Sequence, residues 1–455
     1  MSVKGDSGRS GKKQFYWWLH HWVGLYTGIL IGVLSLTGAL AVFIPEIDAL
    51  IQRAHYKASS SLLPGELPKF SKAIDSLTAI YPNYRGLSIK LPNNPREAVI
   101  VELTHKPKKG KALRYEFFVD GGKDRVVGKR LWQNSFVNYL RQMHVRLYEG
   151  NWGRQLVGLG GVGLAIVTIT GLLIYGNFMK KQTWPKFRKA LDIRIRMADW
   201  HKILGMGALA FNLVIALTGA WLGLQPWLQR WLDIAAPGRY KAVIHMDQSI
   251  DKALSIDWST ALLAAKKAFP DLNPHQLIPS INGAGTITLR GNIPGLIYER
   301  NINTLVLSKD TYKPLFKYDI REQPTGHKFY YIQEALHFGD YGGLLLKALY
   351  AFLGLSSGFL SISGFVIFLF RRKKKQRLTH NPWKAILAYF SLALLFLVII
   401  AVVTLFMGYS LATWMSDIIV NGLLIGIGVY LLLRYVIKKI HCQRSLVSAN
   451  HEKNH

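Results

Sequence analysis

Residues 15–44 read FYWWLHHWVGLYTGILIGVLSLTGALAVFI, and residues 196–225 read RMADWHKILGMGALAFNLVIALTGAWLGLQ. Aligned at an offset of 181, His20, Gly24, Leu36, Thr37, Gly38 and Ala39 meet His201, Gly205, Leu217, Thr218, Gly219 and Ala220. Six coincidences at one offset mark an internal duplication. A second register, at an offset of 193, matches His144, Tyr148, Gly150 and Gly171 with His337, Tyr341, Gly343 and Gly364. The chain therefore reads as two parallel copies of one unit, an apolar span, a polar segment and a second apolar span, followed by two further spans.

Composition supports that reading. Of 455 residues, 50% are apolar although 57 are Lys or Arg, too apolar for an ordinary soluble domain that basic. The apolar residues gather in six runs, at 18–44, 152–175, 203–224, 342–370, 386–408 and 418–436. Each supplies the roughly 20 residues a helix needs to cross about 30 Å of hydrocarbon. The first run is too long for the apolar core of a secretory signal and is expected to stay as an anchor.

The net charge of +31 invites a nucleic-acid partner, but the basic residues are sorted by topology. Lys/Arg clusters lie at the N-terminus, in 180–202, in 371–377 and in 438–444, on alternate sides of consecutive spans. The positive-inside rule puts all four in the cytoplasm with both termini. No nucleic acid is expected, and the partner of the apolar surface is the lipid bilayer. The expected division is 1–44 (N-terminus and first span), 45–151 (first external domain), 152–176 (second span), 177–202 (internal loop), 203–224 (third span) and 225–341 (second external domain), then 342–370 (fourth span), 371–385 (loop), 386–408 (fifth span), 418–437 (sixth span) and 438–455 (tail).

Each external segment shows a helical pattern closed by proline, at 71–81 before Pro82 and at 258–269 before Pro270. Alternating runs follow, at 86–91, 98–104 and 114–119 in the first and at 276–281, 286–290, 296–302 and 304–307 in the second. Each segment is expected to be a helix on a small antiparallel sheet. The fold class is thus a membrane α-helical bundle of six spans, its four-helix core made of two repeats, carrying two α+β external domains.

The lone cysteine, Cys442, excludes a disulfide framework and a C-x-x-C-H haem attachment. The duplication instead singles out four of the 14 histidines. His20 and His201 sit at the cytoplasmic ends of their spans, and His144 and His337 on the external side. A single histidine there would read as an interfacial residue beside Trp17, Trp18 and Trp200. One symmetric pair at each face of a four-helix bundle reads as two bis-histidine haem sites, His20 with His201 and His144 with His337, with small residues letting a flat macrocycle approach the backbones. His21 aligns with Lys202 and is expected to turn to lipid headgroups. His55, His105, His245, His275 and His327 are expected at the surface.

Residues 158–163 satisfy G-x-G-x-x-G but lie inside a span after no strand, so they are read as packing positions and not as a nucleotide site. The spans are nearly free of ionisable residues, Lys347 excepted, which weighs against proton-coupled transport. A cluster of Lys106, Lys108, Lys109 and Lys111 beside Arg114 is either a solvated loop or an attractant for anionic chelates.

His20-His21-Trp22-Val23-Gly24-Leu25, His201-Lys202-Ile203-Leu204-Gly205 and His337-Phe338-Gly339-Asp340, with the Leu-Thr-Gly-Ala repeats, resemble the PepSY-associated transmembrane family across roughly residues 15 to 372. The external domains resemble PepSY domains, Tyr81-Pro82 and Phe269-Pro270 ending their helices. The resemblance implies a bacterial inner-membrane protein of iron uptake, including FoxB-like ferric-siderophore reductases with two haem b groups on His20, His144, His201 and His337. It further implies a ferric siderophore or other ferric chelate as electron acceptor; with no flavin or nicotinamide motif in a credible context, a separate cytoplasmic reductase or the quinol pool is expected as donor. The alternatives are a membrane-anchored PepSY module that binds a peptide or peptidase, and an accessory protein of siderophore transport.

Overall fold

The computed structural model of the chain describes residues 7–57, 66–92, 94–107, 112–176, 187–188, 192–233, 256–280, 285–298 and 301–376. The expected fifth and sixth spans (386–408 and 418–437), the tail and His245 lie outside the described residues. In chain order the helices are α1 (Ser7–Ala41), α2 (Ile44–Ile51), α3 (Arg53–Tyr56), α4 (Ser71–Ile80), α5 (Phe136–Arg146), α6 (Gly150–Gly176), α7 (Ile193–Gly207), α8 (Leu209–Trp231), α9 (Trp258–Ala268), α10 (Thr325–Phe338) and α11 (Gly343–Gln376). Four of them, α1, α6, α8 and α11, are long and apolar enough to cross a membrane. The chain is a multi-pass membrane protein.

These helices close a bundle in which α1 packs on α6 and α11, α6 on α8, and α11 on α7. The third apolar run, read from 203, is not one continuous helix. A helix break at Ala208 separates α7 from α8, and backbone bonds from Ala208 N to Leu204 O and from Asn212 N to Ala208 O, both 2.8 Å, carry the chain across it. Gly205 and Gly207 just before the break weaken the helix there. The glycines of 158–163 pack helices together: a Cβ on Gly158 would lie 2.8 Å from Leu224, and one on Gly161 2.6 Å from Ala220 N.

Among the described residues the strands are β1 (Arg85–Lys90), β2 (Val99–His105), β3 (Leu113–Asp120), β4 (Arg125–Leu131), β5 (Asn273–Ser280), β6 (Thr286–Asn292), β7 (Asn303–Ser308) and β8 (Pro314–Tyr318). The two segments expected to be external domains do not form separate sheets. They share one antiparallel sheet of order β4-β3-β2-β1-β5-β6-β7-β8, joined through β1 and β5 by the pairs Ile89 with Leu277 and Lys90 with Gln276. Pro274 and Pro279, which have no N–H to donate, bracket that short ladder. The strands β4 and β8 do not follow from alternation because both are edge strands, one carrying Arg125, Lys129 and Arg130 and the other opening on a proline. Of the expected strand 296–302, the described residues 296–298 and 301–302 form no strand, and a turn at Pro294 and Gly295, with φ of 84° at the glycine, precedes them.

One face of the sheet carries Ile89, Val99, Val101, Phe117, Leu277, Leu289, Leu305 and Leu307 into a single core beneath α4 and α9. Period-two alternation turns their neighbours to the other face. Phe70 and Trp258, at the starts of α4 and α9, meet with ring centres 5.7 Å apart, so the core is continuous between the halves. On the opposite face Arg130 joins Asp48 of α2 at 2.6 Å to Glu116 of β3 at 2.6 Å, and Tyr56 of α3 donates to Asp48 at 2.6 Å. The first helices after span α1 are thereby bound to the sheet.

Candidate functional site

The bundle gathers the four histidines into two pairs. His20 of α1 and His201 of α7 face each other with ring centres 6.3 Å apart. His144 of α5 and His337 of α10 do the same at 6.2 Å. The second pair sits on separate short helices rather than on the spans, because a tight turn folds each helix back onto the top of the next span. Gly150 and Gly343, matched by the 193 offset, occupy those turns with φ of 56° and 66°, a conformation that side chains disfavour.

Each ring rests on one glycine of another helix. A Cβ would lie 2.9 Å from His144 Cε1 if placed on Gly38, 3.3 Å from His20 Cε1 on Gly171, 3.2 Å from His337 Cε1 on Gly219 and 3.5 Å from His201 Cε1 on Gly364. In every case the residue before the glycine holds Nδ1 of the ring. The partners are Thr37 for His144 at 3.1 Å, Thr170 for His20 at 3.1 Å, Thr218 for His337 at 3.0 Å and Ser363 for His201 at 2.9 Å. The four hydroxyls already donate to carbonyls of their own helices: Thr37 to Val33 at 2.8 Å, Thr170 to Ile166 at 2.6 Å, Thr218 to Val214 at 2.6 Å and Ser363 to Leu360 at 3.1 Å. A hydroxyl has one proton, so toward the ring it accepts. Nδ1 therefore carries the ring proton, and Nε2 keeps the lone pair a metal needs. For His20 the Val167 carbonyl, 3.0 Å from Nδ1, requires the same tautomer.

The sequence pairs Thr37-Gly38 with Thr218-Gly219 and Gly171 with Gly364, but gives no reason for the hydroxyl before each glycine. The signal is the repeated Thr-Gly or Ser-Gly step, four times in four spans. Along α1, 18 residues separate His20 from Gly38, about 27 Å at 1.5 Å per residue. That separation is close to the thickness of a hydrocarbon layer, about 30 Å. Among the described residues no three or more His, Cys, Asp or Glu gather as metal ligands.

Several of the other histidines also have partners within the protein. His21 rests against Phe368 of α11, ring centres 5.2 Å apart. His55 stacks on Phe118 at 5.5 Å, and His327 meets the Tyr318 hydroxyl at 3.1 Å, so both serve packing of the sheet. Lys347 is paired with Glu46 at 2.6 Å. Of the basic cluster in the first external domain, Arg114 lies over the Trp132 ring at 4.3 Å, while Lys108, Lys109 and Lys111 fall outside the described residues.

The sequence matches the PepSY-associated TM region family over residues 17–371. It is also similar to Uncharacterized protein PA4219 of Pseudomonas aeruginosa, 30% identical over 88 residues, which are 19% of this chain and 22% of that protein. The chain spans about a fifth of the length of that curated relative. Since the family match takes in both copies of the duplicated bundle and all four paired histidines, the chain belongs to the PepSY-associated transmembrane family.

Proposed function

We propose that this protein holds two haem b groups, one between His20 and His201 and one between His144 and His337, and carries electrons through the bundle to reduce a ferric chelate. The proposal places it in a bacterial inner membrane with both termini in the cytoplasm, the sheet in the periplasm, and a cytoplasmic reductase or the quinol pool as donor. The observation that carries the reading is the fourfold cradle, in which a glycine clears space beside each ring and a hydroxyl fixes its tautomer. The pair spacing fits as well. Two metal–imidazole bonds of about 2 Å, with about 1.1 Å more to each ring centre, put ring centres about 6 Å apart.

Haem iron, when bound, supplies a one-electron couple at each face of the layer. The remaining work belongs to the chain. Thr37, Thr170, Thr218 and Ser363 hold the rings in the binding tautomer and raise their basicity as ligands. The apolar walls of α1, α6, α8 and α11 exclude water and ions, so donor and acceptor stay in separate compartments. The sheet stands over the His144/His337 end, where an acceptor would arrive. Reduction of ferric to ferrous iron loosens hard oxygen ligands that suit the higher charge. A ferric siderophore is the acceptor that family membership favours.

Purified protein should show a Soret band and about two b haems per chain. Chemically reduced protein, mixed anaerobically with a ferric siderophore and a ferrous trap, should reoxidise while the trap colours. Purified protein without haem would end the proposal, and haems that stay reduced with every ferric chelate tried would redirect it to another acceptor.

A further inference from the structure

Arg154 stands at the sheet end of α6, and its guanidinium reaches across to α8. Nε and Nη2 donate to the Leu222 carbonyl at 3.0 and 2.6 Å, and Nη2 donates also to Gln225 Oε1 at 3.2 Å. Gln225 is in turn held by the Tyr330 hydroxyl of α10, to which its amide donates at 2.6 Å. These bonds fix the plane of the guanidinium and use one of its edges. Among the described residues the Nη1 hydrogens have no partner and no carboxylate pairs with the group.

The duplication supplies a comparison. The offset of 193 maps Arg154 onto Lys347, whose charge is taken by Glu46 at 2.6 Å. Of two related cations, one is bonded to a carboxylate and the other to a carbonyl and an amide. The charged neighbours of Arg154 are Arg146, which repels it, and Glu334, which attracts it. Arg141 adds a third arginine close to Arg146 and Glu334. Arginines thus crowd around Glu334 at this end of the bundle.

The position relative to the histidines follows from helix packing. Gly161 of α6 lies against Ala220, next to the glycine that cradles His337. Arg154 is seven residues nearer the sheet, about 10 Å along the helix. Two turns of α10 likewise separate Tyr330 from His337. The guanidinium is therefore poised just beyond the edge of whatever occupies the space between His144 and His337.

We infer that Arg154 is a carboxylate-docking residue, its open Nη1 edge taking either a propionate of a haem between His144 and His337 or a carboxylate of an anionic ferric chelate arriving at that end. The first source rests on the di-haem reading, and the second does not. A planar fork already oriented by Leu222 and Gln225 suits bidentate pairing with a carboxylate.

The test compares full-length wild type, Arg154→Gln, Arg154→Lys and Lys347→Gln by potentiometric titration and by calorimetry with ferric citrate. If the carboxylate is a propionate, Arg154→Gln should make the haem at His144/His337 about tenfold harder to reduce, about 59 mV lower for a one-electron couple, with the haem at His20/His201 unchanged. If it belongs to the chelate, the potentials should hold while the Kd for ferric citrate rises about tenfold. Lys347→Gln should change neither quantity, its charge being already spent on Glu46. Arg154→Gln protein of unchanged Tm with unaltered potentials and citrate affinity overturns the inference, as does an equal effect of Lys347→Gln. Should Arg154→Gln fail to accumulate, Arg154→Lys decides: a change of about threefold in either readout supports the site, and none overturns it. Wild-type protein free of haem would defeat the di-haem reading alone, since the citrate measurement still tests Arg154.

Discussion

His337 Nδ1 lies 3.0 Å from the hydroxyl of Thr218, whose one proton already goes to the Val214 carbonyl at 2.6 Å. The ring nitrogen must be the donor, so its other nitrogen is left with a lone pair. The same relation holds Thr37 to His144, Thr170 to His20 and Ser363 to His201. A chain that only anchored a peptide-binding sheet would have no need to set four ring tautomers.

Replacement of a paired histidine should remove one haem and spare the other. His201→Ala and His337→Ala should each retain about one haem per chain by pyridine haemochrome assay, because the pairs are about 27 Å apart along α1 and share no ligand. Full haem content in both variants would refute the assignment.

Removal of an orienting hydroxyl should weaken the site without removing a ligand. Thr218→Val keeps the shape of the side chain but takes away the acceptor from His337. Haem affinity at that pair should fall by about 10- to 100-fold, the usual effect of losing a partner of a metal-bound histidine. Thr218→Ser should restore most of it, and haem titration of apoprotein measures both.

The glycines beneath the rings can be tested for clearance. A Cβ on Gly38 would stand 2.9 Å from His144 Cε1, whereas at Gly28 on the same helix nothing lies within 4 Å. Gly38→Val should displace the ring and lower haem content toward one per chain, and Gly28→Ala should leave it unchanged. Equal haem content in the two variants would contradict the cradle.

Acid should loosen the sheet through Asp319. Burial alone would raise the pKa of this carboxyl, but the Arg321 guanidinium, donating at 2.7 Å, and the Arg321 backbone N–H, donating at 3.0 Å, outweigh it and hold the pKa below the ordinary value. A depressed folded-state pKa contributes stability above the unfolded value, about 3.9, that is lost as pH falls through the folded one. Thermal unfolding of wild type should therefore weaken on acidification below about pH 4 more than that of Asp319→Asn. The substitution itself should cost roughly 1–3 kcal/mol at neutral pH, the worth of hydrogen bonds to a charged group.

Much of the architecture was already legible in the order of residues. Hydrophobic length marks the spans, the offsets of 181 and 193 mark the duplication, and that duplication picks His20, His144, His201 and His337 out of 14. These signals are local or periodic, and a linear sequence carries them. Helices closed by Pro82 and Pro270 are legible for the same reason, since proline ends a helix wherever it stands.

Only the tertiary structure decided which groups meet across hundreds of residues. It joined β1 to β5 through Ile89 and Leu277, although Pro274 and Pro279 give β5 the look of an edge strand. It put His21 on Phe368, spent the charge of Lys347 on Glu46 and turned Arg154 to the Leu222 carbonyl. It also brought each Thr-Gly or Ser-Gly step beneath a histidine from another helix. Hydrogen-bond partnership depends on distances of about 3 Å between chain-distant atoms, and helix packing sets those distances where residue order alone does not.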